Sequence, residues 1–84
     1  MPYITQNLRK YFDECGIKEL KIDNPGELNY CITKLVTMYL QGKDLKYQVI
    51  NDIVGALEGA KQEFYRRIAV PYEMQKEAEN GDVF

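Results

Sequence analysis

The 84-residue chain has no histidine, no tryptophan and no serine, and only two cysteines and three prolines. Without histidine there is no imidazole to serve as a general base, which excludes Ser-His-Asp and Cys-His nucleophile pairs. Cys15 and Cys31 cannot by themselves complete a structural zinc site of the Cys and His type. A disulfide between them stays open. One such pair is weak evidence for secretion, and the opening Met1-Pro2-Tyr3-Ile4-Thr5 lacks the basic and apolar regions of an export signal. No apolar run approaches the roughly 20 residues that a membrane span requires. A cytoplasmic protein with reduced thiols is the expectation. An excess of positive charge is missing too: eleven Lys+Arg stand against thirteen Asp+Glu, a net charge of −2. Such a chain lacks the basic field that phosphate polymers demand, which argues against DNA or RNA as a partner.

What is present describes a folded domain. Hydrophobic residues make up 45% of the chain, too many for a disordered segment, and the length allows one domain, residues 1–84. At about 80 residues a single core contributes only a few kcal/mol over chain entropy. With no metal site and no disulfide framework, self-association is the simplest remaining source of stability, so a homo-oligomer is expected.

The periodicity predicts a mainly α fold of three to four helices. The first runs over about 5–15, with Thr5 as N-cap, Leu8, Tyr11 and Phe12 at helical spacing, and Gly16 just past the end. Residues 17–22 alternate and weakly suggest an extended segment or a short strand. Asn24-Pro25-Gly26-Glu27 opens a helix over about 25–41: Asn24 caps, Pro25 takes the first position and Glu27 completes a capping box. Its stripe is Leu28, Cys31, Ile32, Leu35, Val36, Tyr39 and Leu40, and Gly42 stops it. A third helix over about 46–69 carries Ile50, Ile53, Val54, Leu57, Ala60 (or Lys61), Phe64 and Ile68 on one face. Pro71 removes an amide donor and disfavours helix at Val70, so a kink or break is expected there. A last helix over about 71–79 follows, within an acidic tail of about 70–84.

Three features bear on chemistry. Asp52, Gly55, Gly59, Gln62 and Arg66 share one face of the third helix, and each interior glycine costs about 1 kcal/mol relative to alanine. Either another helix packs closely there, within the monomer or across a dimer axis, or a flat ligand does. Arg66 and Arg67 are adjacent at the end of that helix and are two of only three arginines in the chain. A structural role at the helix C-terminus and a role in binding phosphate, which arginine grips bidentately, both fit. On the second helix Asn29, Tyr30 and Thr33 lie off the apolar stripe. Either they form a plain solvent face or a polar subunit interface, or Asn29 reads a base edge, Tyr30 stacks on it and Thr33 adds a hydroxyl. Of the seven tyrosines, Tyr11 and Tyr39 are expected in or near the core, and Tyr3, Tyr30, Tyr47, Tyr65 and Tyr72 at interfaces. Pairs such as Glu58 with Glu63, or Asp13 with Glu14, have no spacing that selects a metal, and none is expected.

Gly26-Glu27-Leu28-Asn29-Tyr30, the run Asn51 to Lys61, Glu63-Phe64-Tyr65-Arg66-Arg67, Pro71-Tyr72-Glu73 and Glu79-Asn80-Gly81-Asp82-Val83 stand in this order. Together with Met1-Pro2-Tyr3-Ile4 they resemble, over nearly the whole chain, a family of small helical proteins of tailed bacteriophages. That family, long of unknown function, is taken to include the anti-CBASS cyclic-nucleotide sponges. The resemblance implies a tetrameric protein that sequesters cyclic GMP–AMP in the cytoplasm of the infected host and does not cleave it, with no cofactor. It carries over no binding residue. Residue chemistry nominates Arg66 and Arg67 for the phosphates, Tyr30 and Tyr65 for stacking, and Asn29, Thr33 and Asn51 for base edges. The alternative is a small oligomeric adaptor or inhibitor in phage development, docking a protein through the glycine face and the tyrosines with Arg66 as a hot spot. A small nucleotide hydrolase is the least favoured reading, since the acid-base groups are missing.

Overall fold

A computed structural model describes residues 4–82. It is mainly helical, with no strand among the described residues: α1 (Gln6–Glu14), α2 (Pro25–Leu40), α3 (Tyr47–Phe64) and α4 (Val70–Asn80). The chain divides after Gly42 into two units, Met1–Gly42 and Lys43–Phe84.

In the first unit α1 begins where the Thr5 hydroxyl accepts from the Leu8 amide at 3.3 Å. Gly16 adopts φ of 90°, a left-handed conformation that side chains resist, and reverses the chain. The segment expected to be extended instead starts with a 3-10 turn, Ile17–Glu19, closed by the Glu19 amide on the Gly16 carbonyl. Lys18 ties the turn back to α1 through Asp13 at 3.2 Å. An extended strand has no described neighbour to pair with here, whereas the turn satisfies its own amide, and Leu20 then returns to extended backbone.

The start of α2 follows the expected capping chemistry. Asn24 Oδ1 accepts from the Glu27 amide at 2.9 Å, and the Glu27 carboxylate accepts from the Asp23 amide at 3.0 Å and from Asn24 Nδ2 at 2.7 Å. The helix ends at Leu40, and Gly42 leaves it with φ of 77°.

At Pro71, where a kink or break was expected, the second unit stays helical. No break occurs. Residues Tyr65–Ala69 form a π-helical turn between α3 and α4, with Tyr65, Ala69 and Val70 all in right-handed helical backbone. The Val70 amide bonds the Tyr65 carbonyl, five residues back. In a regular α-helix the Pro71 ring would clash with the carbonyl of Arg67. The wider turn gives the ring room and keeps the chain helical, so the local proline rule is absorbed by one change of hydrogen-bond register. The acidic segment is accordingly helical as far as Asn80.

No described residue is fully buried. Cys31, Val36 and Leu40 on α2 and Val49 and Ile53 on α3 are half-buried. Tyr11 and Tyr39, expected in or near a core, are exposed, as are Leu35, Leu57, Phe64 and Ile68. The reason lies in the elements: each apolar stripe stays open within its own unit. The expectation for Tyr3 lies outside the described residues. Both cysteines carry free thiols, Cys15 exposed and Cys31 half-buried. A hydrogen bond to Cys15, aided by that group's charge, holds the Tyr11 hydroxyl above its ordinary pKa.

Candidate functional site

The nominated residues fall on two elements in one unit and one element in the other. On the first unit, α2 brings Asn29, Tyr30 and Thr33 onto neighbouring positions. Thr33 Oγ1 donates to the Asn29 carbonyl at 2.8 Å and approaches Asn29 Oδ1 at 3.3 Å. The back-bond to its own helix is the usual way a mid-helix threonine satisfies its hydroxyl. Tyr30 is 63% exposed, and the Lys34 ammonium stands 5.4 Å from its ring centroid. Lys34 adds a cation to this strip, at a range where its charge is attracted by the ring face.

On the second unit the π-turn holds Tyr65, Arg66 and Arg67 together. Both guanidiniums converge on Glu63: Arg66 Nη2 donates to Oε1 at 2.8 Å and to Oε2 at 2.9 Å, and Arg67 Nε donates to the same Oε1. Glu63 keeps only 22% of its side chain exposed, against 65% for each arginine. Hydrogen bonds from Arg67 first, then Arg66, hold its carboxyl below the ordinary glutamate pKa. The carboxylate is therefore ionised at neutral pH, and the three side chains carry one net positive charge on one exposed turn.

Asn51 does not join this group. It lies 14 positions before Tyr65 on the same helical run, which at 1.5 Å per residue is about 21 Å along the axis. The glycine face is open: a Cβ built at Gly55 or Gly59 would meet nothing within 4 Å. Close packing inside the monomer, one of the two explanations for those glycines, is thus not what the described residues contain. Along the same helix Gln48 donates to Asp52 at 2.7 Å, and Glu58 accepts from Gln62 at 3.2 Å. Among the described residues no cluster of His, Cys, Asp or Glu is arranged to hold a metal, and no helix is long and apolar enough to cross a membrane.

Residues 1–83 match the family described as Domain of unknown function (DUF6899). The chain belongs to that family. No curated protein and no solved structure matches it. In this DUF6899 chain sequence reasoning passed over Lys34 and weighed Glu63 only as a metal ligand, not as a partner of the arginines. Both were within reach of it. Glu63 precedes Arg66 and Arg67 by three and four residues, and Lys34 follows Tyr30 by four, the spacings at which helical side chains meet.

Proposed function

We propose that the protein is a homo-oligomeric, phage-encoded sponge that captures a cyclic dinucleotide immune signal, such as cyclic GMP–AMP, and holds it without cleaving it. It would act in the cytoplasm of an infected host and so blunt CBASS defence. The observation that carries the reading is the arginine pair, two exposed guanidiniums fixed on a single turn by one carboxylate. Phosphodiesters need paired N–H donors of the kind that two adjacent guanidiniums present. Tyr30 and Tyr65, both exposed, supply faces on which purines stack. Asn29, Thr33 and Asn51 offer amide and hydroxyl groups for base edges. Asn51 would serve through a second protomer, given its distance from the arginines on its own helix. The family resemblance in the motifs around residues 26–30, 51–61 and 63–67 points to the same ligand.

A second reading, an oligomeric adaptor or inhibitor in phage development, is favoured by the open apolar stripes and the open glycine face. Calorimetric titration with cyclic GMP–AMP separates the two. The sponge reading expects saturable binding, weakened about tenfold or more by Arg66→Ala or Arg67→Ala through loss of charge-assisted contacts. If binding is unchanged in both variants, the phosphate assignment is wrong. If no cyclic di- or trinucleotide binds the wild-type protein, the adaptor reading takes its place.

A further inference from the structure

We propose that Glu63 is a resident counter-ion of the arginine site, which a phosphate of the ligand must displace, so that this carboxylate sets how tightly the site holds anions. The inference rests on the phosphate reading of Arg66 and Arg67. Two facts lead to it. Both carboxylate oxygens are engaged, and Oε1 accepts from the two guanidiniums at once. The carboxylate is the anchored member, 22% exposed, while the arginines reach outward at 65%.

A carboxylate and a phosphodiester each carry one negative charge and offer two oxygens to a guanidinium edge. Glu63 therefore occupies N–H donors of the type a phosphodiester requires, and ligand entry is an exchange of one anion for another. With Glu63 ionised, the carboxylate competes with any incoming anion for these guanidiniums, and removing it takes away that competitor. A purely structural role makes the opposite claim. At three and four residues before its partners, Glu63 would then only brace the helix and orient the arginines, and its loss would weaken any ligand they hold.

The test uses the full chain as wild type, Glu63→Gln, Glu63→Ala and Arg66→Ala, with circular dichroism to establish that helix content is retained. Each is titrated calorimetrically at constant ionic strength with cyclic GMP–AMP and, separately, with inorganic pyrophosphate. Both Glu63 variants should bind both probes about three- to tenfold more tightly than wild type, as expected for removal of a competing partly exposed ion pair. Arg66→Ala should bind more weakly. Equal or weaker pyrophosphate binding by the Glu63 variants, or none, overturns the counter-ion inference. Tighter pyrophosphate binding with no cyclic dinucleotide binding by wild type leaves the inference standing and removes the sponge reading.

Discussion

Glu63 makes a titration prediction at the scale of the single residue. Its neighbours in charge are the guanidiniums of Arg66 and Arg67, and their hydrogen bonds lower its pKa in the folded chain. A carboxyl lowered on folding adds stability that is fully present above the unfolded glutamate value, about 4.3. That contribution is lost as pH falls through the lowered folded value. Carbon-detected NMR of the Glu63 carboxyl should give a midpoint below that of glutamate in an unstructured peptide, and Arg66→Ala and Arg67→Ala should each move it upward. A midpoint at the peptide value would mean that the clamp does not persist in solution. The spacing of these three residues was plain in the sequence. What the spacing left open was which partner the arginines take, because helix surface pairs and ligand contacts draw on the same donors.

At the scale of the element, legibility followed locality. The starts of α1 and α2 were readable because Thr5, Asn24 and Glu27 act on amides three or four residues away. Residues 17–22 were not, since alternation means a strand only where a second strand is present to pair with it. Pro71 signalled an irregularity but not its form: its steric rule is local, whereas the π-turn that relieves it spreads over Tyr65–Ala69 without a break. The interior glycines of α3 supply the element-scale prediction. Because no described atom lies within 4 Å of the added methyl groups, Gly55→Ala and Gly59→Ala should each stabilise the helix by about 1 kcal/mol in the isolated chain. Thermal melts followed by circular dichroism read this directly. If the face is where another protomer or a ligand lies close, sedimentation or titration of the same variants should show assembly or capture impaired although the helix is stronger. Unimpaired assembly and capture would leave the glycines without a function.

For the whole molecule, the absence of any fully buried described residue is the dominant fact. Periodicity placed the helices that carry the apolar stripes, but what covers those stripes was beyond the reach of a single sequence, because a stripe reads the same whether its partner is the same chain or another copy. The apolar faces of both units are open among the described residues, and the proposed homo-oligomer would cover them. The residues nominated for one ligand are divided between those units, with Tyr30, Asn29 and Thr33 on the first and Tyr65, Arg66, Arg67 and Asn51 on the second. The sponge reading therefore requires a pocket to which more than one copy contributes. The most direct measurement follows the ligand. The protein is incubated with cyclic di- and trinucleotides, separated from unbound ligand, heat-denatured, and the released nucleotide is chromatographed. The sponge account predicts saturable capture with the cyclic dinucleotide recovered intact, and linearised product, or no captured nucleotide at all, would contradict it.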